Sequence, residues 1–218
     1  MSQENLSLNN YQLRIALLRT SPHVWRRVLV PCHWTLPQLQ QTIRALFGWS
    51  DTHPAHFLIR GKTFPADQTG ACASTPPIRL SEFQFYARER FLYNYRFELQ
   101  TSVWRHEIRV EKTMPVQEKW DYPRCMAGVG TPPPEPVASP QEFRHMAQLF
   151  TPGYVLHRLA EMIDRGDPDQ RIGEEIRYLR PWLTIGEFCS RTANQQLSPK
   201  IAAALPEVED LSCRPPFF

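Results

Sequence analysis

The chain has 218 residues, 42% of them hydrophobic, with a net charge of +3, 21 prolines and five cysteines. That is enough apolar material for one generous domain or a domain with a small appendage, and no run of about 18 apolar residues exists to span a membrane. The thiols are odd in number and lack Cys-x-x-Cys spacing, so they read as cytosolic cysteines rather than a disulfide frame.

Met1-Ser-Gln-Glu-Asn is polar, without the basic start and apolar stretch of a signal peptide, and a cytoplasmic location is expected. Tyr11, Leu13, Ile15 and Leu17 then alternate with Gln12, Arg14 and Ala16, which is strand spacing with one face buried. Ser21-Pro22 supplies a turn, and Trp25, Arg27 and Leu29 continue the strand period. Thr35 and Gln38 have the spacing of a capping box, Leu36, Leu39, Ile43, Leu46 and Phe47 share one helical face, and Gly48 follows as a left-handed stop. A hairpin with a helix across it is the opening of an α+β domain.

Phe57–Arg60 is strand-like with a turn at Gly61-Lys62, and residues 65–79 read as a loop. Phe91, Tyr93, Tyr95 and Phe97 form a second alternating run, and Trp104, His106, Ile108 and Val110 a third. These two are expected to pair as a hairpin across Leu99–Val103. A polyproline-like connector at Thr131–Pro136 and an amphipathic helix over Pro140–Phe150 follow. From Thr151 two helical stripes end at Gly166/Pro168 and at Pro181, Thr184 and Glu187 have capping-box spacing before Phe188, and the tail is rich in proline. The expected organisation is an α+β domain over residues 1–150, a mixed or antiparallel sheet with one main helix packed on a face, and a small helical extension over 151–218. Trp25 and Trp49 are expected to anchor the core.

Val24-Trp-Arg-Arg-Val-Leu-Val-Pro31, the Leu36–Trp49 helix, Gly48-Trp-Ser-Asp-Thr-His53, His56-Phe57, Trp104-Arg-His-Glu-Ile108 and Tyr122-Pro-Arg-Cys-Met-Ala-Gly128 occur in order. Together they resemble the Ri-plasmid open-reading-frame-three-like family, whose members are also described as insertion-element passenger proteins of TnpR-like type. The resemblance covers roughly residues 9–150. It implies an α+β domain carried on plasmids, transposons and bacterial chromosomes, and no settled activity. Where the family pattern has Tyr-Asp-Phe-Gly-Asp before Trp-x-His, this chain has Tyr95-Arg-Phe-Glu-Leu-Gln-Thr-Ser-Val-Trp104, without either aspartate.

Within these motifs His53, His56, His106 and Glu107, with Cys125, are ligand-type side chains for a divalent metal such as zinc. The simpler account of His106, on the apolar face with Trp104 and Ile108, is a core histidine. No Gly-x-Ser-x-Gly, phosphate loop or His-Glu-x-x-His motif is present, and neither a serine nor a tyrosine recombinase site is supported. Arginine outnumbers lysine 21 to 4, and residues 1–60 carry six arginines against two acids. Arg14, Arg26, Arg27 and Arg44, interleaved with Tyr11, Trp25 and Trp34, make a candidate phosphate-contacting face, the alternative being an ordinary solvated sheet face. Leu183–Thr192 faintly echoes a helix-turn-helix opening, but acidic surroundings oppose DNA there. The exposed polyproline suits a protein partner. The reading is a non-enzymatic binding or accessory protein of a mobile element, contacting nucleic acid or protein, with a metal-dependent or degenerate enzyme as the alternative.

Overall fold

Strands β1 (Asn9–Leu17) and β2 (Val24–Pro31) form the expected hairpin, and helix α1 (Leu36–Phe47) follows directly. The computed structural model describes residues 9–50, 53–66, 76–96, 103–117, 122–135, 137–165 and 170–202. The expected turn over Leu99–Val103 therefore lies almost wholly outside the described residues, as do Pro136 and the proline-rich tail beyond 202. The remaining strands are β3 (Ala55–Ile59), β4 (Lys62–Pro65), β5 (Arg90–Tyr95), β6 (Trp104–Pro115) and β7 (Arg124–Val129). They make one seven-stranded sheet in the order β4-β3-β5-β6-β1-β2-β7, and every pairing is antiparallel.

The α1 termini behave as the sequence predicts. The Thr35 hydroxyl accepts from the Gln38 N–H at 3.4 Å and the Thr35 N–H donates to Gln38 Oε1 at 2.8 Å, closing the capping box. At the other end Gly48 takes φ 67°, and Gly48 and Trp49 donate back to the carbonyls of Ala45 and Arg44. This Schellman turn needs a left-handed residue and drives Trp49 into the core, where it stacks on Tyr95 at 4.8 Å and donates through Nε1 to the Pro133 carbonyl. Trp49 is thus the core anchor expected of it, 1% exposed. Pro133 is buried against it, while Pro132 and Pro134 on either side are half-buried.

Four further helices follow: α2 (Pro140–Leu149), α3 (Pro152–Arg165), α4 (Gln170–Leu183) and α5 (Ser190–Ala202), with α3 packed on α4 and α5 on α1 and β7. The helices expected over 36–47 and 140–150 and within 151–218 are present, five among the described residues, and Phe143, Val155, Leu179, Trp182, Ala193 and Leu197 join the core that includes β1, β2 and α1. Two local expectations differ. Helix α4 continues through Pro181 to Leu183, because Trp182 packs on Phe143 and Phe150 at 5.7 and 5.4 Å and a proline this near the end removes little hydrogen bonding. Thr184 and Glu187 form a turn, Glu187 N–H to Thr184 carbonyl, and not a cap, since α5 starts only at Ser190.

Strand β7 is absent from the sequence reading. It borders β2, and its free edge is closed by α5: Asn194 accepts from the Cys125 N–H at 2.8 Å and donates to the Cys125 carbonyl at 3.0 Å. The side-chain amide stands in for a neighbouring strand.

Candidate nucleic-acid interface

Alternation divides every strand between two environments. Tyr11, Leu13, Ile15, Val28, Val30, Phe91, Tyr93, His106, Ile108 and Val110 face the helices and are buried. The opposite face carries Gln12, Arg14, Ala16, Trp25, Arg27, Arg90, Leu92, Arg105, Glu107, Arg109 and Glu111, half-buried or exposed, whereas Asn10 and Leu29 of the same parity are buried. At the β7 end of this face Arg124, opposite Leu29, lines a hollow with Ser190, Arg191, Asn194 and Gln195 of α5.

The strand registers align its arginines. Arg90 on β5 lies directly opposite Arg109 on β6, Arg109 opposite Arg14 on β1, and Arg14 opposite Arg27 on β2. Four guanidinium-bearing positions thus form one row across four adjacent strands, spaced about 4.8 Å apart at the backbone. A second row runs beside it: Leu92, Glu107, Ala16, Trp25 and Val129, opposed in that order. The two rows are two residues apart along each strand, roughly 7 Å.

Directly opposed like charges are unfavourable, and the face compensates only at the ends of the arginine row. Arg27 makes a two-pronged bond to Glu111, at 2.5 and 2.8 Å, and Gln12 donates to the same carboxylate at 2.6 Å. The Arg27 guanidinium holds the Glu111 carboxyl below the usual carboxylate range, with Gln12 and the charge of Arg14 adding to the effect. Arg90 reaches Glu107 at 3.3 Å. Between them Arg14 and Arg109 have no carboxylate within ion-pair distance among the described residues, and Arg109 Nε is buried without a hydrogen-bond partner. Arg14 and Arg27 lie over the Trp25 ring at 4.9 and 5.6 Å. Trp25 therefore sits on the open face, half-buried, and the expectation of a core anchor is corrected: its parity on β2 is that of Arg27 and Leu29.

Only two of the four arginines proposed from sequence belong to this face. Arg26 projects to the other side, opposite Ile15, and is 4% exposed. It donates to the carbonyls of Trp25, Val129 and Gly130 at 2.8–2.9 Å and packs under Phe188 at 4.6 Å. Arg44, 2% exposed in α1, donates to the His53 carbonyl at 2.6 Å. Neither is placed to meet a phosphate, and Tyr11 and Trp34 are buried as well. Conversely Arg90 and Arg109 complete the row but escaped the sequence reading. Their polar parity on β5 and β6 was visible, yet only the register between strands shows that they oppose each other and Arg14.

The metal candidates are dispersed. His106 is fully buried among Phe47, Trp49 and Tyr93, at ring distances of 4.7, 5.1 and 5.4 Å, while Glu107 points to the open face. His56 is also on the open face, but it bonds Asn94 at 3.0 Å and β5 stands between it and Glu107. His53 packs its ring edge-on to Tyr95. Burial pushes the Cys125 thiol up to about 11, so it is protonated at neutral pH. Among the described residues no three His, Cys, Asp or Glu side chains gather as a metal site would need. A cavity of about 490 Å³ between α1 and the Thr184–Thr192 segment is lined by Arg26, Phe47, Pro133, Phe188 and Cys189; Arg26 donates to carbonyls through Nη1 and Nη2, and its Nε has no hydrogen-bond partner among the described residues.

The architecture defines a one-sided antiparallel sheet with an arginine-bearing open face. The chain belongs to the plasmid pRiA4b ORF-3-like family, whose model matches residues 9–162. It is 28% identical over 151 residues to the uncharacterized protein y4hQ of Sinorhizobium fredii (strain NBRC 101917 / NGR234), covering 67% of this chain and 76% of that one. The fold is shared with the crystal structure of the protein of unknown function MM3350 from Methanosarcina mazei Go1. The TM-score is 0.61 at 22% identity, over 84% of this chain and 96% of that chain. No helix among the described residues is long and apolar enough to cross a membrane.

Proposed function

We propose that this protein is a cytoplasmic, non-enzymatic nucleic-acid-binding protein, accessory to the plasmid or other mobile element that carries it, and that the open sheet face is its phosphate-contacting surface. The observation that carries this reading is the row Arg90, Arg109, Arg14 and Arg27, in which the two central cations have no carboxylate within ion-pair distance among the described residues. A regular line of cations is complementary to a polymer with regularly repeated anions, whereas an acidic protein patch has no such periodicity. Guanidinium groups also suit phosphate through planar, two-pronged hydrogen bonding. The family's plasmid description agrees with a mobile-element setting.

The test is a fluorescence-anisotropy titration of labelled oligonucleotides at several salt concentrations, with the double substitution Arg14→Glu/Arg109→Glu. Binding is expected to weaken linearly in log–log form with salt, and the double variant to lose at least tenfold. Absence of binding at about 50 mM salt, or affinity unchanged in the double variant, overturns the reading.

A further inference from the structure

The geometry points to single-stranded rather than double-stranded nucleic acid as the ligand of the open face, with phosphates on the arginine row and unpaired bases on the row beside it; this rests on the phosphate-binding role proposed above. The argument is the pairing of the two rows. The arginine row spans three strand spacings, roughly 14 Å, and is straight across the sheet because each member is opposed to the next. The row beside it contains Leu92, Ala16, Trp25 and Val129, four apolar side chains interrupted by one glutamate. Apolar and aromatic groups next to a phosphate track gain most when base faces are available to stack on them. In a duplex those faces are stacked inside the helix, and a protein meets phosphates and groove edges. In a single strand each base has a free π-face, which stacks on an aromatic ring without regard to sequence.

Trp25 is the stacking group. Arg14 and Arg27 lie over its half-buried indole at 4.9 and 5.6 Å, so a base that stacks there displaces a guanidinium from the ring, which frees it for the adjacent phosphate. Glu107 faces the base row rather than lying in the phosphate row. Its carboxylate, paired with Arg90 at 3.3 Å, is an acceptor compatible with the exocyclic amino groups of a base. The remaining tryptophans with described side chains, Trp34, Trp49, Trp104 and Trp182, are all buried and unavailable for this role.

The deciding experiment measures binding of single-stranded DNA, single-stranded RNA and a DNA duplex, each of about 12 units, a length within the usual site sizes. The full-length protein is compared with Trp25→Leu and Trp25→Phe, and folding of each variant is checked by thermal melts. At least one single strand is expected to bind tenfold or more tightly than the duplex. From two to four phosphate contacts at about 0.7 each, the salt slope is expected between about −1.4 and −2.8. Trp25→Leu should weaken single-strand binding at least fivefold without changing that slope, and Trp25→Phe should restore most of the loss. Duplex binding equal to or tighter than both single strands, or single-strand binding indifferent to Trp25→Leu, overturns the inference. If in that case Arg14→Glu/Arg109→Glu still abolishes binding, the phosphate-contacting face stands and only the single-strand assignment falls.

Discussion

Because successive strand residues point to opposite faces, Arg26 and Arg27 meet different surroundings although a single peptide bond separates them. Arg27 serves the open face, whereas Arg26 satisfies three backbone carbonyls beneath the sheet. Burial lowers the Arg26 pKa to about 10, still high enough for the guanidinium to be charged at neutral pH. Arg26→Met retains the volume but leaves those carbonyls unpaired. We expect a loss of about 3 kcal/mol in a urea titration, with oligonucleotide affinity per folded molecule unchanged; a loss below about 1 kcal/mol would show that water replaces the guanidinium. His106 supplies a pH dependence. Desolvation pushes its pKa down to about 3, partly opposed by the Tyr93 backbone. The ring is neutral in the fold, while in the unfolded chain it takes a proton near pH 6.5. Between those values the unfolded state binds more protons, so this contribution is intact above pH 6.5 and is lost progressively as pH falls toward 3, at about 1.4 kcal/mol per unit. Chemical denaturation from pH 7 to 4 should show this slope in the wild type and a correspondingly smaller one in His106→Phe.

At the scale of elements, β7 depends on α5 for its outer partner. Asn194→Ala removes both hydrogen bonds to Cys125, and a cost of about 2 kcal/mol is expected. Amide exchange at Cys125 should accelerate relative to Val28 on the neighbouring strand; equal protection of both in the variant would mean that the clasp is incidental. Sequence reading recovers the elements whose signals are local. Helix α1 declares itself through Thr35, Gln38 and Gly48, and β6 through the alternation from Trp104 to Val110. It misses β7 because Cys125-Met-Ala-Gly128 has neither β-branched residues nor alternation, and because its partners are β2 and, at the outer edge, Asn194, 69 residues later. It misplaces the start of α5 because Thr184 and Glu187 have cap spacing, while the chain uses them in a turn before the helix.

Across the whole molecule, one sheet face is buried in the core it shares with the helices, and the other carries the arginine row with a largely apolar row beside it. That plan is half legible: the buried parity of β1, β5 and β6 can be read from residue types alone. The row Arg90–Arg109–Arg14–Arg27 cannot, because it depends on β6 inserting between β5 and β1, strands far apart in sequence, and on bulges that set their register.

Like charges opposed across a sheet also tax the fold that holds them. Added salt shortens the reach of that repulsion, to about 10 Å at 0.1 M, so this protein should melt at a higher temperature as sodium chloride rises from about 0.01 M. Arg109→Ala should flatten the trend and raise the low-salt melting temperature above that of the wild type. A wild-type melting temperature indifferent to salt, or a low-salt Arg109→Ala less stable than wild type, would sink the idea. Attraction for an anion and fragility at low ionic strength thus have one source, and whatever neutralises the row acts on the protein as a folding cofactor.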